Sequence, residues 1–132
     1  MKKRILVVDD EKDNAIIFSM ALEDTGLFEV DSFTDPISAL SRFKSNEYDL
    51  LILDIKMRKM NGFELYEKMK NIDDKIKVCF LTAFGEGYHE EFKKRFQGEE
   101  EEDKPAAISP DVYFLRKPIT LEDLVKQVNQ II

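Results

Sequence analysis

The chain has 132 residues, a net charge of −7 at pH 7, and 43% apolar against 36% charged residues, with a pI near 4.8. That length supports one domain, residues 1–132, with a real hydrophobic core; the acidic balance argues against direct binding of nucleic acid. Cys79 is the only cysteine, so no internal disulfide is possible and a reducing cytoplasm is expected. No apolar run is long enough to span a membrane, so no membrane insertion is expected.

The basic start Met1-Lys2-Lys3-Arg4 leads into the apolar run Ile5–Val8. This imitates a signal peptide, but the run is too short and Asp9-Asp10-Glu11 interrupts it. A continuous apolar run of this length fits a strand covered on both faces. Next, Ala15, Phe18, Ser19 and Leu22 share one helical face, and Gly26 can stop that helix. Phe28–Phe33 can form a second strand, and Thr34-Asp35-Pro36 reads as a helix start with proline in the first turn. Leu50–Leu53 is a third strand of the buried kind. Asn61 with Glu64 reads as a capping box ahead of Phe63, Leu65 and Met69. Val78–Leu81 is a fourth strand, and Val112–Leu115 can be a fifth. Thr120 with Asp123 reads as a second capping box, ahead of Leu121, Leu124, Val125 and Val128. Strand and helix alternate about five times, which implies a doubly wound α/β domain with a parallel sheet.

In such sheets the chemistry lies outside the carboxyl ends of the strands. The first strand ends at Asp9-Asp10, the third at Asp54, the fourth at Thr82 and the fifth near Lys117-Pro118. Three acids, a hydroxyl and an amine therefore converge on one edge. Three close carboxylates repel one another unless a cation joins them, and hard oxygen donors suit Mg²⁺ or Mn²⁺. Asp10 and Asp54 read as direct ligands, with Asp9 direct or acting through water. An aspartate can also be a nucleophile that forms an aspartyl phosphate. Phosphoryl transfer needs chiefly positioning and neutralisation of charge on the equatorial oxygens, for which the Lys117 ammonium and Thr82 hydroxyl are suitable. A cis bond before Pro118 is one way to aim Lys117 inward.

The motifs ILVVDDE, LLILDIKM…NG, FLTA and FLRKP, in this order at these strand ends, resemble the response-regulator receiver domain of two-component signalling along essentially the whole chain. The resemblance implies a flavodoxin-like fold: a five-stranded parallel sheet of order 2-1-3-4-5 with helices on both faces. It also implies that Asp54 is the phosphoacceptor and that Asp9 and Asp10 belong to the metal pocket. The main-chain carbonyl of Lys56 corresponds to a further metal ligand, Thr82 to the switch hydroxyl, Lys117 to the family's lysine and Phe114 to the switch aromatic. The expected partners are a histidine kinase or phosphotransfer protein as donor and a downstream protein as target, the chain being a monomer or a phosphorylation-dependent dimer. In the family, phosphorylation draws the threonine toward the phosphoryl group, the aromatic moves inward, and the surface of the fourth helix, fifth strand and fifth helix changes.

Two departures stand out. Arg58 follows Met57 where many relatives have proline. The stretch between Thr82 and Lys117 is about a dozen residues longer than usual and carries the acidic run Glu99–Asp103, in an atypical segment around 85–110. That run reads as solvated. Tyr88, Phe92 and Phe96 read as a core stripe, His89 as an exposed helical residue, and Phe84 as a shield that slows loss of the phosphoryl group. The chain stops soon after the last helix, so no output domain is expected. Two competing readings remain: a receiver-like binding module that never accepts phosphate, and a phosphatase with an aspartate nucleophile. Lys56 weighs against the phosphatase, because such enzymes usually carry a second acid two residues after the nucleophile. A switch, and not an enzyme, is the expectation.

Overall fold

The computed structural model describes residues 2–82, 106–109, 111–116 and 119–132, with backbone alone at Thr82 and 106–109. The expectations placed on the Thr82 side chain, Phe84, Tyr88, His89, Phe92, Phe96, Glu99–Asp103, Lys117 and Pro118 lie outside what is described.

Strands β1 (Lys3–Val8), β2 (Phe28–Phe33), β3 (Leu50–Asp54), β4 (Lys77–Thr82), β5 (Ala106–Ser109) and β6 (Val112–Arg116) form one sheet of order β2-β1-β3-β4-β6-β5. The pairs β1–β2, β1–β3, β3–β4 and β4–β6 are parallel. These five strands have the order expected from the sequence. The sixth, β5, was not expected: it runs antiparallel along the outer side of β6, with a bulge between Ala107 and Ser109. Only Pro110 and Asp111 separate the two strands in sequence, so chain proximity brings them together. Alanine-rich β5 has little strand propensity of its own, and neither apolar alternation nor a continuous apolar run marked it.

Side chains alternate between the faces of a strand, and the buried residues divide accordingly. Leu6, Val8, Leu51, Leu53, Val78, Phe80 and Phe114 pack on the face covered by α2 (Pro36–Arg42) and α3 (Gly62–Ile72). Ile5, Val7, Leu50, Ile52, Cys79 and Leu81 pack on the other, against α1 (Lys12–Glu23) and α4 (Leu121–Ile131). All five residues of β3 are buried, as the middle strand of such a sheet requires. Phe80 anchors the first face: its ring meets Phe63 edge-on at 4.9 Å and Tyr66 at 5.6 Å between centroids. Such aromatic pairs add roughly 0.5–1.5 kcal/mol each to the area they bury.

The helix starts follow local chemistry. Asp35 caps α2 by accepting from the Ile37 N–H at 3.1 Å, with Pro36 at the first turn. Asn61 and Glu64 form the reciprocal capping box of α3. The Thr120 hydroxyl accepts from the Asp123 N–H at 3.0 Å to start α4. Ala15, Phe18, Ser19 and Leu22 are the buried face of α1. Gly26 (φ 76°) lies just beyond this helix, and its N–H bonds to the Glu23 carbonyl at 3.0 Å.

Candidate metal and phosphoryl-acceptor site

Strand register assembles the site. Val8 pairs with Leu53, so Asp9 and Asp54 are the next residues outward on adjacent strands. Asp54 pairs in turn with Leu81, which puts Thr82 one step beyond it, and Thr82 pairs with Arg116. The carboxyl ends of β1, β3, β4 and β6 therefore share one edge.

At that edge Asp9, Asp10 and Asp54 each offer an oxygen atom, all within 4.8 Å of one another. Asp9 is 1% and Asp54 7% exposed; Asp10 is half-buried. The Glu11 N–H donates to Asp9 Oδ1 at 3.0 Å, a turn that carries the chain from β1 into α1. Asp10 Oδ2 accepts from the Arg58 N–H at 3.2 Å and from Arg58 Nε at 3.4 Å. Three carboxylates in partly desolvated surroundings favour a bound cation. The donor set is all oxygen, and its spread is close to the roughly 4 Å across an octahedral Mg²⁺ site. The residues present thus fit such an ion.

The loop from β3 to α3 is tightly tied. The Ile55 N–H donates to the Leu81 carbonyl at 3.0 Å, and the Gly62 N–H to the Ile55 carbonyl at 2.9 Å. Met57 and Met60 pack against the core. The Met60 N–H closes a three-residue turn on the Arg58 carbonyl at 2.8 Å, with Lys59 at φ 72°, a conformation rare for a side chain of this type. Lys59 Nζ lies 3.6 Å from Asp35 Oδ1. The Ser38 hydroxyl, and after it the Ile37 N–H and Lys59, hold the Asp35 carboxyl below its ordinary range.

Asp9, Asp10 and Asp54 are thus brought together as the sequence led us to expect. The Lys56 side chain is exposed. Phe114 is 4% exposed, packed on the α2–α3 face with Phe80. Sequence reasoning marked Arg58 as a departure but missed its contact with Asp10, which joins residues 48 positions apart and carries no local signal. It also missed why residue 62 is glycine, although the Asn-Gly pair was noted.

A doubly wound α/β sheet with an acidic pocket at its carboxyl edge defines the class. Within it, the family model of the response regulator receiver domain matches residues 5–129, and the chain belongs to this family. It is 31% identical over 136 residues to the response regulator receiver protein CpdR of Brucella abortus, spanning 98% of this chain and 97% of that protein. It is 33% identical over 86 residues to sporulation initiation phosphotransferase F of Bacillus subtilis, spanning 65% of this chain and 68% of that one. Among solved structures, a CheY-like receiver domain protein from Methanospirillum hungatei superposes with a TM-score of 0.77 at 24% identity, covering 98% of this chain and 93% of the other. The non-phosphorylated HemR receiver domain from Leptospira biflexa does so at 0.77 and 22% identity, covering 98% and 94%. Receiver domains of two-component regulators are phosphorylation-dependent switches. No described helix is long and apolar enough to cross a membrane.

Proposed function

We propose that this chain is a single receiver domain that accepts a phosphoryl group on Asp54 from a phosphohistidine donor and changes its protein-binding surface in response. The observation that carries the reading is the meeting of Asp9, Asp10 and Asp54 oxygens within 4.8 Å, with Asp54 buried at the end of β3. An Asp54 carboxylate oxygen attacks phosphorus. The new O–P bond forms as the P–N bond of the donor breaks, and the imidazole leaves with the electron pair of that bond. Asp9, Asp10 and Asp54 would hold Mg²⁺ or Mn²⁺, with the main-chain carbonyl of Lys56 as a further ligand. Such an ion supplies charge neutralisation for the carboxylates and the phosphoryl oxygens. By resemblance to the family, Thr82 and Lys117 would serve the remaining phosphoryl oxygens, and Phe114 would respond as the switch aromatic. The donor is a cytoplasmic histidine kinase or phosphotransfer protein; the target is a further protein, and the chain is a monomer or a phosphorylation-dependent dimer.

Intact mass after incubation with Mg²⁺ and acetyl phosphate, for the wild type beside Asp54→Asn, tests this. One phosphoryl adduct on the wild type and none on the variant is expected. An adduct on both moves the site away from Asp54. No adduct on folded protein, with a cognate kinase also failing, makes the chain a phosphate-independent binding module.

A further inference from the structure

The contact between Arg58 and Asp10 gives this site a feature of its own. Two donors of one residue, the Arg58 N–H and Nε, converge on a single oxygen of Asp10, at 3.2 and 3.4 Å. The main-chain donor exists only because residue 58 is not proline, which has no N–H. The two ends of the contact differ in freedom. The Asp10 side chain is 17% exposed and belongs to the acidic trio, whereas the Arg58 side chain is 85% exposed. The Arg58 backbone is held by the turn that Met60 closes and by the packing of Met57 and Met60 on the core. Its guanidinium alone is loosely held.

We infer that Arg58 is a resident cation latch on the acidic pocket: its guanidinium partly neutralises Asp10 when no metal is bound and competes with the divalent ion for that carboxylate. The inference rests on the metal-binding reading above. Carboxylates this close repel, and a guanidinium beside Asp10 lowers its share of that repulsion. When a divalent cation approaches, the same positive charge opposes it until the side chain moves aside. Because the guanidinium lies mostly in water, it swings away at small cost, while the main-chain N–H stays and keeps Asp10 oriented. Arg58 is thus a positioning residue with a tunable effect: it keeps the pocket stable without metal and sets a lower apparent affinity for the ion. Its charge acts through solvent, so its influence falls as salt rises.

The test is calorimetric titration of Mg²⁺ into metal-stripped wild type, Arg58→Ala, Arg58→Gln and Arg58→Lys, with thermal melts of each protein with and without the ion. An exposed charge of this kind predicts that Arg58→Ala and Arg58→Gln bind Mg²⁺ about 1.5- to 5-fold more tightly. Both variants melt lower than wild type without metal and gain more in Tm on adding it. Arg58→Lys keeps the charge and stays near wild type, and the differences shrink at high salt. Equal Mg²⁺ affinity in wild type and both neutral variants overturns the latch and leaves the metal site standing. Weaker binding in the neutral variants also overturns it and makes Arg58 a residue that orients Asp10 for the ion. Neither heat nor a Tm rise with Mg²⁺ in any of the four proteins overturns the metal-binding reading itself, and the latch with it.

Discussion

Gly62 packs directly on the main chain of Asp54: a β-carbon at position 62 would lie 2.5 Å from the Asp54 carbonyl oxygen and 3.1 Å from its carbonyl carbon. The obstacle is backbone on a buried central strand, so it cannot swing aside as a flexible side chain would. The Gly62 N–H bond to Ile55 fastens the same approach. Gly62→Ala is therefore expected to push α3 away from the end of β3, at about 1–3 kcal/mol in stability. It also moves the proposed phosphoacceptor, so phosphorylation by acetyl phosphate slows. Denaturant unfolding and adduct formation followed by mass, on the same sample, check both. A variant with unchanged stability would mean that the loop yields freely.

The crowded carboxylates have a measurable consequence without any metal. Asp9→Asn keeps an oxygen for the Glu11 N–H and removes one buried negative charge from the trio. Its metal-free Tm is expected to rise above that of the wild type at low ionic strength, with the gain reduced in high salt. The Tm increase that Mg²⁺ gives the wild type should largely vanish in the variant. Thermal melts at two salt concentrations, with and without Mg²⁺, decide it.

Cys79 lies in β4, fully buried between apolar neighbours, and burial pushes its thiol well above the ordinary range. The thiolate is the reactive form, so alkylating reagents should leave the folded protein untouched at neutral pH and modify it at one site in denaturant. Cys79→Ser places a hydroxyl where a small apolar group sits, at about 1–3 kcal/mol. Mass after timed alkylation, and urea unfolding of the variant, test the two parts. Rapid labelling of native protein would show that β4 opens readily.

Asp35 links the start of α2 to the loop after β3. Its carboxyl is held below the ordinary carboxylate value in the folded protein, chiefly because the Ser38 hydroxyl donates to it. A depressed folded value means that the ionised form favours folding. That contribution is fully present above the ordinary carboxylate value and is lost as pH falls through the lower, folded one. The stability difference between wild type and Asp35→Asn should therefore be constant near neutrality and shrink only below about pH 4. Urea unfolding of both proteins from pH 7 to pH 2.5 measures it. A difference that widens with acidification contradicts the assignment.

The parts legible in the sequence were those written in local pattern. Leu50–Leu53 and Val78–Leu81 are apolar on both faces, and the structure buries them on both faces. Asn61 with Glu64 reads as a capping box and is one. The acids at strand ends became a site because a parallel sheet aligns those ends, so recognising the alternation was enough to bring Asp9 and Asp54 together. What escaped depended on distance or context. Ala106–Ser109 has weak strand character and becomes a strand only by lying next to β6. Arg58 reaches Asp10 because the β3–α3 loop folds back over the end of β1. At Gly62, the sequence offers an Asn-Gly turn signal, but the actual requirement is room beside Asp54.

The β5–β6 hairpin also bears on how this chain coexists with copies of itself. An uncovered β6 would present a row of free main-chain donors and acceptors to any strand that drifted by, the usual starting point for intermolecular sheet growth. Pairing Ala106 with Phe114 and Ala107 with Tyr113 closes that row from within. The replacement edge is only four residues long and interrupted by a bulge, a poor template for addition. At the other margin, β2 carries Glu29 and Asp31, whose charges discourage a second strand. Among the described residues, the sheet thus carries a short, bulged margin on one side and a charged margin on the other.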